Sequence, residues 1–340
     1  MSNNTSDNRT LSVIRMVSMD LITRKMDLLA NMQGLQKAAV DYIRDSKSDN
    51  TIRAYAADWD HFKAWCDTYR VVSLPAAAET VALYITDLAE GITDYKASVA
   101  TIQRRLVAIS QRHKAEGCEV PTQAQAVKSV MAGIRRSVGV HQDKKLPILT
   151  EHIRSWAAVL PAGVTSIRDR ALILLGYAGA FRRSELVALD VSDLEFTKSG
   201  VKVTIKRSKT DQDGAGYVKA VYYGSDPAVC PVLALQDWLK FVQSGPLFRR
   251  VWQNGRVDTT RLSDKVVDLV VKDLCQSIGL DADLYGAHSL RAGHITQAKI
   301  NGAADTDIMR QSGHKSMAVF AGYIRDADLF RNNSSGRLGL

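Results

Sequence analysis

The sequence predicts a mainly α-helical protein with a small antiparallel β-sheet, arranged as a helical domain followed by an α+β domain. Three observations lead to that reading. Apolar residues recur at three- to four-residue steps through most of the chain, the spacing that gives a helix one apolar face. Strict alternation is confined to two short runs, 201–206 and 218–223, which fit half-exposed strands joined by a polar turn at 208–214. With 340 residues, 46% hydrophobic and 24% charged, the chain is long enough for two ordinary cores.

Taken in order, residues 1–20 are polar and are expected to form a disordered tail. Residues 21–137 read as a helical domain. Its clearest helix spans 51–69, where Ile52, Tyr55, Trp59, Phe62 and Trp65 form one face and Asn50 or Ser48 supplies a cap. Further helices are expected at 77–88, 99–114 and 124–136, separated by Gly91, Gly117 and Pro121. Residues 138–147 are charged and carry no apolar period, which marks a linker. In the second domain, 148–340, helices are expected at 151–160 and 170–177 before the two strands. Helices at 232–241, 260–278, 289–301 and 305–312 follow them.

The net charge of +9 favours a polyanionic partner, because each Lys or Arg that meets a phosphate releases a condensed counterion. Cys66, Cys118, Cys230 and Cys275 lie far apart with no CxxC pair, as reduced thiols in a cytosolic protein would. No apolar run approaches the roughly 20 residues that span a bilayer. The polar N-terminus lacks the layout of a signal peptide, so a cytoplasmic location is expected.

Four segments carry candidate chemistry. They are Gly179–Leu186 with Arg182, Arg183 and Glu185; Lys209 in the turn between the strands; His288 and Arg291 at the start of a helix; and His314, followed by Tyr323. Together they are the parts of a metal-free phosphoryl-transfer site. Arginines grip phosphate oxygens bidentately and neutralise charge that builds in the transition state. A tyrosine hydroxyl, whose ordinary pKa is about 10, needs a base or a cationic field to act as a nucleophile. A lysine can protonate a leaving alkoxide. Each feature alone is common on solvated surfaces; their joint order is not. A metal site from His288, His294 and His314 lacks acidic or cysteine ligands at fixed spacing, and His294 reads as helix packing.

On these residues the chain resembles the tyrosine recombinase (phage integrase) family. The resemblance makes Arg182 the first family arginine, Lys209 the hairpin lysine and His288 with Arg291 the HxxR pair. It makes His314 the later His-or-Trp position and Tyr323 the nucleophile, with Glu185 a buttressing acid. A Gly-Ala stands where Thr-Gly often precedes the first arginine. The family implies a site-specific DNA recombinase that needs neither cofactor nor metal. It would form a 3′-phosphotyrosyl link, act as a tetramer on paired sites and clamp double-stranded DNA, in a nucleoid-associated setting.

For DNA contact, Thr101, Gln103, Arg104, Arg105 and Arg112 give the 99–114 helix a polar, basic face suited to a major groove. Arg135 and Arg136 read as phosphate contacts, and Arg261 and Lys265 as the opening of a second groove-reading helix. The family also implies that the C-terminal tail, with Leu329, Phe330, Leu338 and Leu340, docks on a neighbouring subunit. With only about 20 polar residues before the first helical pattern, no additional amino-terminal domain is expected. Two alternatives stay open: a non-catalytic DNA-binding regulator of the same fold, and an enzyme resembling type IB topoisomerases.

Overall fold

The structure, a computed structural model, describes residues 31–42, 48–139, 144–206, 216–328 and 338. The chain divides into two compact units, 1–142 and 143–340.

In the first unit, α1 covers 31–42, and α2 (Asp49–Tyr69), α3 (Ala78–Glu90), α4 (Val99–Ala115) and α5 (Gln125–Val138) follow. Ser48 caps α2 by accepting from the Thr51 N–H, and Ser98 caps α4 by accepting from the Thr101 N–H. Each cap satisfies one of the donors that a helix start leaves unpaired. Phe62, Trp65, Val81, Tyr84, Ile85, Ile102, Ile109 and Met131 come from α2, α3, α4 and α5 into one core. The Asp87 carboxylate is buried there and satisfied: it accepts from the Trp65 indole N–H and from the Thr93 backbone at 2.9 Å. Ending α3 at Gly91 takes a left-handed backbone, φ 72°.

The second unit opens with α6 (Thr150–Val159), α7 (Val164–Ala178) and the short α8 (Arg183–Ala188). An antiparallel sheet follows, made of β1 (Leu194–Thr197), β2 (Gly200–Ile205) and β3 (Tyr217–Tyr222) in that spatial order. In its register Val201 faces Val221 and Val203 faces Lys219. Next come α9 (Pro231–Leu239), the two-stranded β4 (Arg249–Val251) and β5 (Val257–Arg261), and α10 (Asp264–Ser277). The chain continues through α11 (His288–Ile300), α12 (Asp305–Ser312) and α13 (Met317–Asp328). α7 is buried along Ala171–Leu175 and packs with Trp238 of α9, Phe248, Val271 of α10 and Leu290 of α11 in one large core. A smaller cluster of Ile295, Ile308 and Phe320 joins the last three helices.

Two expectations are corrected here. The helix expected at 260–278 begins only at Asp264, because residues up to Arg261 form β5 and Ser263 is the helix cap, accepting from the Lys265 N–H. Arg261 therefore ends a strand and does not open a groove-reading helix. Its guanidinium donates to the Val187 carbonyl at 2.7 Å and the Leu189 carbonyl at 2.9 Å, and it pairs with Asp190 at 2.5 Å. The second concerns the basic face of α4. Arg105 is only 4% exposed, and it donates to the Tyr95 hydroxyl at 3.1 Å and lies 3.7 Å from the Asp58 carboxylate. A buried guanidinium held by its own domain does not reach a groove.

Candidate active site

The site is built from the ends of α7, α8 and α11, from β3, and from the α12–α13 corner, all within the second unit. The loop after α7 turns sharply at Ala180, a non-glycine residue held at φ 48°. That turn directs the Ala180 carbonyl to the Arg291 guanidinium, which donates to it at 2.8 Å. Arg182 stands at the cap position of α8. Glu185, three residues on, accepts from the Arg182 backbone N–H at 3.0 Å and from its guanidinium at 2.6 Å. This is the return hydrogen bond of a capping box, here made by a carboxylate that also holds the arginine's head. Burial alone would raise the Glu185 pKa, but Lys219 and the bonds from Arg182 outweigh it and hold the group below its ordinary value.

Arg291 is 1% exposed, on the first turn of α11. Its Nη2 donates to the His314 ring at 3.2 Å, and the ring's Nδ1 lies 2.8 Å from the Ser312 hydroxyl. Burial and then the charge of Arg291 push the His314 pKa down to about 4, so this imidazole is neutral at pH 7. His288, one helical turn before Arg291, places Nε2 2.8 Å from the Tyr323 hydroxyl. His288 is exposed as a residue, yet desolvation first and then the guanidiniums of Arg291 and Arg182 lower its pKa as well. The Tyr323 ring centroid lies 5.6 Å from that of His288 and 5.2 Å from that of His314.

The arrangement thus combines two guanidiniums, a neutral imidazole against a tyrosine hydroxyl, and a second neutral imidazole beside one guanidinium. Chemically it can accept a phosphate, stabilise added negative charge and take a proton from the tyrosine. Among the described residues no three His, Cys, Asp or Glu side chains come together as a metal site. His294, on the same helix, donates from Nδ1 to the Tyr177 carbonyl at 2.9 Å.

The structure brings together Arg182, Glu185, His288, Arg291, His314 and Tyr323. Lys209 lies outside the described residues, in the connection between β2 and β3. Of the residues expected to meet DNA, Arg104 is exposed but held bidentately by Asp58, at 2.7 and 2.9 Å. Arg112 is exposed and paired with Glu116 one turn later, at 2.9 Å. The Gln103 carboxamide lies against the exposed Arg135 guanidinium. Arg136 and Lys265 are exposed, and Thr101 is partly exposed at the start of α4.

Sequence reasoning missed Tyr217 and Lys219. The Tyr217 hydroxyl donates to Glu185 at 3.3 Å. The Lys219 ammonium, 1% exposed, donates to the carbonyls of Gly179 at 2.7 Å and Ala180 at 3.1 Å. A signal was present: in the alternation of β3, Lys219 has the parity of buried Val221, so a charge stands on the inward face.

Comparison with known proteins gives the family. The model of the phage integrase family matches residues 144–329. The "Integrase/recombinase xerD homolog" of Selenomonas ruminantium is 40% identical over 316 residues, which cover 91% of each chain. "Recombinase cre" of Escherichia phage P1 is 26% identical, covering 88% of this chain and 91% of that one. Among solved structures, a lambda integrase dimer bound to a core site has the same fold, with a TM-score of 0.58 and 15% identity. That match covers 85% of this chain and 93% of the other. The chain therefore belongs to the phage integrase family and is a tyrosine recombinase, a DNA recombinase enzyme.

Proposed function

We propose that this recombinase cuts one DNA strand with Tyr323 and keeps it as a 3′-phosphotyrosyl link until it is rejoined. The observation that carries this reading is the Tyr323 hydroxyl held 2.8 Å from the His288 imidazole, within a cluster fed by Arg182 and Arg291. The Tyr323 oxygen attacks the phosphorus in line while its proton passes to His288, which is neutral because its pKa is lowered. The P–O5′ bond breaks, and Lys209 gives the departing oxygen its proton. Arg182 and Arg291 bind the non-bridging oxygens and offset the charge of the pentacoordinate state, with His314 beside them. Rejoining reverses these steps with a 5′-hydroxyl from the partner strand. The phosphodiester energy is retained in the tyrosyl ester, so the reaction draws on no nucleotide.

Site-specific exchange between two duplexes needs four cleaving subunits, and we assign the tetramer contact to the C-terminal tail, passed from one subunit to the next. Exposed Arg135, Arg136 and Lys265 are the phosphate contacts we favour, Arg112 shares its charge with Glu116, and Thr101 and Gln103 stand where a helix face can meet bases. No helix of the described residues is long and apolar enough to cross a membrane.

The test is a capture experiment. The full chain is incubated with a pool of nicked duplexes of randomised core sequence, and protein that co-migrates with DNA under denaturing conditions is recovered and its DNA sequenced. Adducts that converge on one core sequence support the reading. DNA retained only under native conditions would instead support a non-catalytic regulator. Adducts without sequence preference, together with relaxation of supercoils, would point to topoisomerase-like activity.

A further inference from the structure

Lys219 is a buried cation to which the cleavage chemistry above assigns no part. Its ammonium is enclosed by the loop after α7, by α8 and by the rings of Phe181 and Tyr217, with the nitrogen 4.5 Å from the Phe181 centroid. A charge with so little exposure is costly to bury unless every donor is used. Here the nitrogen donates to the Gly179 and Ala180 carbonyls and lies 4.0 Å from the Glu185 carboxylate.

Two of those three partners lead to the phosphate-gripping arginines. The Ala180 carbonyl is the one that accepts from Arg291 at 2.8 Å, so Lys219 and Arg291 share an acceptor. The Glu185 carboxylate is the one that holds both the backbone and the head of Arg182. Without the ammonium, the Ala180 carbonyl loses a donor in a left-handed turn, and Glu185 loses a cation beside it. Because Lys219 lies on β3, the same side chain ties that strand to the arginine loop.

From this shared-acceptor geometry we infer that Lys219 is a positioning residue, a buried cation that sets Arg182 and Arg291 at the spacing a phosphate requires. The inference rests on the proposed cleavage reaction and deepens it. Lys219 touches no substrate; it acts through Glu185 and Ala180. Its charge state follows from its surroundings. Burial lowers its pKa to about 7, Glu185 of α8 resists that shift, and Arg291 of α11 and Arg182 add to it. Tyr217 on the same strand and His294 of α11 and His314 after α12 also feel the ammonium or its partners, and all three are neutral at pH 7. A phosphate bound at the two guanidiniums removes part of the repulsion, so DNA binding favours the protonated lysine.

Two variants test this. Lys219→Met keeps the length and the apolar stem without the ammonium, and Lys219→Gln keeps N–H donors without the charge. Each is compared with the wild-type full chain for thermal unfolding, for affinity to the nicked duplex recovered by wild-type capture, and for cleavage of that duplex. Both should bind within about threefold of wild type and cleave about a hundredfold more slowly, the loss typical of a displaced charge contact at a transition state. The second-order cleavage rate reports groups of the free protein. The wild-type advantage should therefore shrink from about pH 6 to about pH 8.5 as the native ammonium loses its proton.

Cleavage at the wild-type rate overturns the inference. So does a slowing matched by an equal loss of affinity, or a rate ratio that does not change with pH. If neither variant folds, the wild-type chain with 15N-labelled lysines decides. The Lys219 side chain should titrate near 7 when free and at higher pH with the duplex bound, and an unshifted titration overturns the inference. If wild type forms no adduct at all, the cleavage reading fails and not this one.

Discussion

At the scale of single residues, the arginines carry the largest expected effects. Arg182 and Arg291 are held by Glu185 and by the Ala180 carbonyl before any phosphate arrives, so little reorganisation is left for the moment of reaction. Arg182→Ala and Arg291→Ala should each slow adduct formation by about a hundredfold, roughly 3 kcal/mol, with a much smaller loss of duplex affinity. Single-turnover cleavage alongside a binding titration checks this, and wild-type cleavage in either variant removes that residue from the clamp. A pH effect on stability follows from His294. Burial pushes its pKa down to about 4, against an ordinary value of 6.5. Between those values the unfolded chain binds more protons, so stability is present at neutral pH and is lost as pH falls through that window. Glu185, lowered in the folded state, acts in the same direction. The unfolding temperature should therefore fall from about pH 6.5 to about pH 4, and less steeply in His294→Gln. Equal slopes in the two proteins would remove His294 as a source.

At the scale of elements, α11 has to approach the chain at Ile148 closely enough to bring His288 and Arg291 into the site. Gly293 permits that approach: a Cβ there would sit 1.8 Å from the Ile148 carbonyl oxygen. Gly293→Ala should cost ~1–3 kcal/mol of stability, as overpacking does, and slow cleavage by shifting α11. Thermal unfolding and adduct yield measure both effects; an unchanged unfolding temperature would mean the backbone gives way easily. The same elements show how much of the molecule was legible. Helices with one apolar face, such as α2 and α4, and strands with strict alternation, β2 and β3, could be read because burial on one side imposes a period. β1, β4 and β5 could not. They are three to five residues long and mostly exposed or half-exposed, and their pairing is decided by distant partners. That is why Arg261 was misread as a helix opening. Arg105 was misread because helical spacing does not reveal that Asp58, on another helix, draws it inward. The order of Arg182, His288, Arg291, His314 and Tyr323 was visible along the chain. The part of Lys219 was not, since it depends on which carbonyls the α7–α8 loop turns toward β3.

At the scale of the whole molecule, the basic balance, the family and the convergence of the site in one unit agree on a DNA strand-transferring enzyme. Assembly is a separate proposal. A head-to-tail contact made by the proposed tail would close into a ring where the rotation between subunits allows it. Removing residues from Asn332 onward should leave binding to a single site intact and impair assembly on paired sites and recombination, as native electrophoresis and a two-site recombination assay would report. Unchanged assembly would place the connector on another surface. The role of Tyr323 as the nucleophile has a more direct measurement. Wild type and Tyr323→Phe are incubated with the captured nicked duplex, resolved under denaturing conditions, and the adduct is digested and sequenced by mass spectrometry. The wild-type adduct should carry its nucleotide linked through phosphate to Tyr323, and Tyr323→Phe should bind the duplex without forming an adduct. An adduct that persists in Tyr323→Phe, or that maps to any other residue, would contradict that role.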